Sequence, residues 1–298
     1  MEKRQMGQTD MQVSVLGFGG AEIGFHGVPV ETVTQLLNAA LDAGLNVIDT
    51  AECYPGSEDL IGQAVSRRRK EYFLFTKCGH PEGPSKEDWR PDSLLQSIER
   101  SLRRLKTDRV DLVQLHSCSE EELRKGEVIR ALQEARKRGY TRYIGYSGDS
   151  RAAHYAIACG QFDTLQTSVS IADQEALDLT LPLARAKQMG VIAKRPIANA
   201  MWKEAQRPAS TYYQPYWDRL QKLDYPIQHG PAARAAEIAL RFTLSVPGVH
   251  TAIVGTTKPG RWGENAELLS AGPLPHDQFE KIRGRWREVA DATWVGQV

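Results

Sequence analysis

A (β/α)8 barrel is the fold this sequence predicts, on three observations. Eight short apolar runs alternate with helix-like stretches along the 298 residues, and strict strand-then-helix alternation points to a parallel sheet. Eight such units in roughly 280 residues is the count of a closed barrel, whereas a doubly wound open sheet usually uses fewer strands. Three of the runs end on a titratable side chain: Val47-Ile48-Asp49, Phe73-Leu74-Phe75-Thr76-Lys77, and Val110 to His116. Barrels gather functional side chains at the carboxyl ends of their strands, which is where these three would lie.

Taken in order, Met6 to Gly20 reads as a short hairpin leading into the first barrel run, which ends Leu16-Gly17-Phe18-Gly19-Gly20. Glu31 to Ala43 carries helical spacing, and Gly44 is placed to close that helix. Leu45 to Asp49 is the second run, and Ser57 is placed to cap a helix reaching about Arg69. Tyr72 to Lys77 is the third. Pro91-Asp92-Ser93 opens an amphipathic helix with Leu94, Leu95, Ile98, Leu102 and Leu105 on its inner face. Arg109 to His116 is the fourth run, Glu120 to Lys137 a helix, and Thr141 to Ser147 the fifth run. Arg151 to Cys159 is helical, Phe162 to Ser170 extended, Ala176 to Gln188 helical, and Val191 to Ile197 the seventh run. From Ala198 to about Gly230 the pattern is irregular, which predicts a long loop over the barrel mouth. Ala232 to Leu244 is helical and His250 to Thr256 is the eighth run. Two closing helices follow, Arg261 to Leu269 and His276 to Val289, the last one extra to the barrel. The chain, 1–298, reads as a single domain.

Composition narrows the function classes. Hydrophobic residues at 41% and charged residues at 25% are those of a globular protein with an ample core. A net charge of +1, with both signs dispersed, gives no reason to expect nucleic acid or an anionic membrane as partner. No apolar run approaches the roughly 18 residues of a membrane span, and Met1-Glu2-Lys3-Arg4-Gln5 has no secretory h-region. Four cysteines without CxxC spacing suggest reduced thiols and a cytoplasmic location. Oligomeric state is not readable, and a monomer is compatible with everything in the sequence.

If the three run-ends share one mouth, Asp49, Tyr54, Lys77 and His116 are neighbours. An ammonium near a phenol favours the phenolate, so Lys77 should lower the Tyr54 pKa and ease proton exchange. Asp49 would anchor Lys77, and His116 would orient a carbonyl oxygen by hydrogen bonding. This set suits protonation of an oxygen as it becomes an alkoxide. The turn Gly17-x-Gly19-x-x-Glu22 lacks the third glycine of a dinucleotide fingerprint.

Asp49-Thr50-Ala51-x-x-Tyr54-x-x-Ser57-Glu58, Thr76-Lys77 and Leu115-His116 resemble the tetrad motifs of the aldo-keto reductase family in order and spacing. The resemblance runs from Leu16-Gly17-Phe18-Gly19 to Glu264-Asn265. It implies a barrel that binds NADPH/NADP+ without a Rossmann motif and acts on a small-molecule carbonyl. Tyr54 would be the general acid or base, tuned by Lys77 paired to Asp49, with His116 on the substrate carbonyl. It also implies that Ser147 and Gln166 hold the nicotinamide carboxamide. Gly255-Thr256-Thr257 would lead the chain into a phosphate site, Arg261 would grip the 2′-phosphate, and Glu264 and Asn265 would bind adenine. Backbone amides at a helix start and a bidentate guanidinium are suited to such anions.

Two positions depart from the family pattern. Gly148, followed by Asp149, stands where an asparagine usually follows the serine, and Lys194-Arg195-Pro196 replaces the usual Tyr-Ser-Pro. Arg195 is expected to stack its guanidinium on the nicotinamide in place of the tyrosine ring. Cys53, Cys78 and Cys118 each lie within two residues of the tetrad, either as small apolar fillers or as thiols activated by Lys77. In the long loop, Trp202 is the candidate for the substrate wall. The rivals to a carbonyl reductase are a cofactor-binding regulatory subunit with little turnover and, on weaker grounds, a metal-dependent hydrolase.

Overall fold

The computed structural model describes residues 1–81 and 83–297. A hairpin of β1 (Lys3–Gln5) and β2 (Gln12–Ser14) precedes a closed barrel. The barrel strands are β3 (Leu16–Gly19), β4 (Val47–Asp49), β5 (Phe73–Cys78), β6 (Val110–His116), β7 (Thr141–Ser147), β8 (Thr164–Ser168), β9 (Gly190–Lys194) and β10 (Thr251–Val254). Each is parallel to the next, and β10 closes on β3 with Ala252 opposite Leu16.

Strand periodicity of two decides what points where. Val47, Phe75, Leu112 and Ile192 face inward and pack with Met6, Met11 and Val13 of the hairpin, all fully buried. The hairpin is therefore the plug of the barrel floor. Ile48, Leu74, Val113 and Leu165 face outward into the larger core shared with the helices. Two residues beyond the apolar inner layer, on the same inward face, stand Asp49, Lys77 and Gln114. The floor is apolar and the upper layer polar, so the titratable side chains collect at the strand ends.

The expected element order is present, with five local differences. The helix from Glu120 breaks into Glu120–Lys125 and Glu127–Lys137 because Gly126 takes φ +74 between them. The stretch from Ala176 divides into Glu175–Leu179 and Leu181–Ala186, where Pro182 begins a new first turn. Ser57 does not cap its helix: its hydroxyl donates to the Gly20 carbonyl at 2.7 Å and meets Thr50 Oγ1 at 2.8 Å, tying β3 to the loop after β4. The helix ends at Val65, and a 3-10 turn covers Ser66–Glu71. The long connection after β9 is not structureless, since it holds the helix Gln214–Leu223 with Tyr216, Leu220 and Leu223 buried at helical spacing.

Helices Ser57–Val65 and Pro91–Arg104 touch at Gly62, where an added Cβ would lie 2.1 Å from the Arg104 carbonyl oxygen. Backbone cannot retreat as a side chain can, so Gly62→Ala should cost at least about 2 kcal/mol. A melting temperature unchanged by that substitution would show that the two helices slide apart freely.

Candidate active site

The loop after β4 continues along β5. Thr50 N–H donates to Phe75 O at 2.9 Å and Glu52 N–H to Lys77 O at 3.2 Å. A tight turn, Tyr54 N–H to Ala51 O at 3.1 Å, then brings Tyr54 back over the mouth. Lys77, 1% exposed, donates from Nζ to Asp49 Oδ1 and to the Thr50 carbonyl at 2.8 Å. The second Asp49 oxygen accepts from Gln166 Nε2 at 2.9 Å and Gln114 Nε2 at 3.4 Å. Lys77 Nζ lies 5.3 Å from the Tyr54 ring centre, and the Tyr54 and His116 rings meet edge to face at 5.8 Å. Among the described residues the Tyr54 hydroxyl has no hydrogen-bond partner, and Tyr54 and His116 both line a cavity of about 680 Å³. The four side chains singled out in the sequence thus meet at one mouth.

Their electrostatics differ from the sequence reading. Burial, and after it the charge of Asp49, hold the Tyr54 phenol well above its ordinary pKa. The charge of Arg195 pulls the other way without reversing it. Burial and then Lys77 push His116 well below its usual value, so the ring is neutral in neutral solution. Burial also raises the Asp49 carboxyl, against the pull of Lys77. The site at rest is a protonated phenol beside a neutral imidazole.

The cysteines are not activated. Burial pushes the Cys53 thiol up to about 12 despite Lys77, and raises Cys78 and Cys118 as well. Cys53 Sγ sits 3.4 Å from His116 Nδ1, a contact the sequence reading did not foresee.

Ser147 and Gln166 both line the cavity, with Ser147 Oγ donating to Gln166 Oε1 at 3.0 Å. Through the Gln166 amide nitrogen they join Asp49, so the seat expected for a carboxamide and the Asp49–Lys77 pair form one hydrogen-bonded chain. Position 148 carries no side chain for a packing reason: a Cβ there would lie 2.5 Å from the Tyr146 hydroxyl, which donates to the Cys118 carbonyl at 2.7 Å. Asp149 instead accepts from Ser168 N–H at 2.7 Å and Thr167 Oγ1 at 2.7 Å, and pairs with Lys194 at 2.8 Å. Arg195 lines the cavity with its guanidinium carbon 5.0 Å over the Tyr212 ring centre.

Gly255 walls the cavity, whereas Thr256, Thr257, Arg261, Glu264 and Asn265 follow β10 outside that lining. Arg261 pairs with Glu264 at 2.9 Å, and Asn265 is buried. Trp202 stands apart from the cavity, packed on the outer core, while Met201, Tyr212 and Tyr213 of the same connection form the wall. Gln114 was hidden inside an apolar run, but its position two residues from both Leu112 and His116 on an alternating strand is the signal that finds it.

The family model described as "Aldo/keto reductase family" matches residues 15–287. The chain belongs to the aldo/keto reductase family. The holo form of aldo-keto reductase AKR11C1 from Bacillus halodurans superimposes with a TM-score of 0.83 at 26% identity, over 99% of each chain. L-galactose dehydrogenase of Arabidopsis thaliana is 28% identical, over 99% of this chain and 97% of its own. A probable voltage-gated potassium channel subunit beta from the same plant is 25% identical, over 92% and 93%. The family places this chain among oxidoreductases with a barrel fold. No helix among the described residues of this aldo/keto reductase is long and apolar enough to cross a membrane.

Proposed function

We propose that the protein reduces an aldehyde or ketone to an alcohol, or runs the reverse oxidation, with NADPH/NADP+ as cofactor and Tyr54 as the general acid or base. The observation that carries this reading is the Tyr54 hydroxyl, unpartnered among the described residues and set beside neutral His116 at the cavity. The donor set fits a nicotinamide: Ser147 Oγ and Gln166 Oε1, both at the cavity, are acceptors for an amide N–H. When bound, that cofactor supplies or takes the hydride at the carbonyl carbon.

His116 donates a hydrogen bond to the carbonyl oxygen and fixes its direction. Tyr54 gives its proton to the same oxygen as negative charge develops there, and the nearby Lys77 ammonium stabilises the tyrosinate left behind. Asp49 keeps Lys77 in place, and Gln166 holds Asp49. Arg261 takes the 2′-phosphate once drawn from Glu264, which favours NADPH over NADH.

Fluorescence titration with NADPH and NADH, followed by a carbonyl panel read at the nicotinamide absorbance, tests the reading. Absence of turnover across the panel would reject it. The likeness to a protein named as a potassium channel subunit favours one second reading, a cofactor-binding subunit with slow turnover. NADPH binding without multiple turnover is its expected signature.

The pKa directions make a pH prediction. Reduction needs a protonated Tyr54 and a neutral His116, and burial secures both between the ordinary histidine and tyrosine values of about 6.5 and 10. The reduction rate should be level across that interval, while alcohol oxidation, which needs the tyrosinate, should rise with pH. Rate profiles in both directions check this. A reduction rate that falls through a pKa near about 7 would assign the proton to another group.

A further inference from the structure

Among the described residues, the corner of the cavity at the end of β9 holds one cation with no ion-pair partner of its own. Lys194 and Arg195 enter it side by side, and Arg195 does so at φ +55, a left-handed conformation that residues with a Cβ seldom adopt. Lys194 is neutralised by Asp149 at 2.8 Å, and Arg219 has Asp173 at 3.6 Å. Arg195 has no such partner: no carboxylate among the described residues lies within ion-pair distance of it. Its hydrogen bonds go to neutral oxygens only. Nε donates to the Tyr212 hydroxyl at 3.1 Å, and Nη1 donates to Ser168 Oγ at 3.4 Å and to the Gln297 main-chain carbonyl. Nη2 makes no hydrogen bond to the described residues.

Asp149 and Asp173 act on Arg195 only from beyond ion-pair distance, and a part-buried cation without a directly paired counter-charge is costly to maintain. The guanidinium carbon stands 5.0 Å from the Tyr212 ring centre. What remains for a ligand is an N–H edge, which suits an oxyanion better than an aromatic ring. Three carboxylates also line the cavity: Asp49, paired with Lys77, Glu22 on the β3–β10 side against Gly255, and Glu204 on the connection after β9. An anion is therefore received at the β9 corner alone and not by a general positive field.

We propose that the carbonyl substrate carries a carboxylate, and that Arg195, braced by Tyr212, receives it. The inference rests on the carbonyl-reductase reading above. Among the described residues one cation at this corner lacks an ion-pair partner, which matches a carboxylate, whereas a phosphate ester with about two negative charges would exceed it. The carboxylate is a handle only: hydride and proton add across the carbonyl, and an oxo acid becomes a hydroxy acid.

The test is a matched pair, an aldehyde acid and its methyl ester, assayed with wild type, Arg195→Gln and Arg195→Lys. Wild type should favour the acid in kcat/KM by about 10- to 100-fold, as a charge-assisted contact implies. Arg195→Gln should remove that preference and Arg195→Lys should restore part of it. Calorimetric binding of the corresponding hydroxy acid and its ester, with NADPH present and absent, gives a readout that needs no turnover. Equal handling of acid and ester by wild type overturns the inference and leaves the reductase reading intact. If no carbonyl turns over, that reading falls, and acid-over-ester binding lost in Arg195→Gln still decides the inference. Weaker NADPH binding in Arg195→Gln with the acid preference kept returns Arg195 to the cofactor and overturns it, as does a preference for a phosphate ester over the acid.

Discussion

Tyr54→Phe should lower turnover by about 10²- to 10⁴-fold, the span expected for a positioned general acid, and leave NADPH affinity within a factor of about two. The substitution removes one oxygen. The ring keeps its contacts, 5.7 Å from Phe25 and 5.8 Å from His116 between centroids, and the lost hydroxyl has no partner within the described residues. Folding stability should therefore change by less than about 1 kcal/mol, since no buried donor or acceptor is orphaned. Steady-state rates, a cofactor titration and a melting curve on one preparation separate the effects. Turnover above a tenth of wild type would remove Tyr54 from the chemistry. A loss of NADPH binding as large as the loss of rate would make it a cofactor contact instead.

The parts of this molecule that the sequence made legible share one property: their signal is local. An apolar run closed by Asp49, Lys77 or His116 is visible within seven residues, and the alternation of such runs with helices gives the barrel. What stayed hidden depends on pairings across the mouth. Asp149 and Lys194 lie on separate strand ends, and nothing near either residue announces the other. The proximity of Lys77 to Tyr54 is legible in the sequence, while the burial and the Asp49 charge that hold the phenol's pKa up are not. The helix Gln214–Leu223 was missed although Tyr216, Leu220 and Leu223 carry its spacing, because proline and clustered aromatics suggested a loop. Residues 294–297, which carry the carbonyl that Arg195 touches, have no pattern at all.

Lys77→Met is the second large effect, and it should fall on stability as well as on rate. Turnover should drop by about 10²-fold or more, because the developing tyrosinate loses its neighbouring cation. The substitution also leaves Asp49, 1% exposed, with only Gln166 and Gln114 as partners. Breaking a buried pair from one side costs about 3–5 kcal/mol. Burial already pushes the Asp49 carboxyl up, and removal of Lys77 takes away the main opposing influence. A carboxyl whose folded pKa exceeds its unfolded value of about 3.9 is bound to its proton more tightly in the folded state. The variant should thus be least impaired in acid and lose stability as pH rises through the raised value. The double variant Lys77→Met with Asp49→Asn removes both charges and should recover most of the stability at neutral pH, yet stay inactive. Denaturant melts of the three proteins at several pH values decide the matter. If the double variant is no more stable than Lys77→Met, the loss came from packing around the lysine stem, and the pair's role is confined to catalysis.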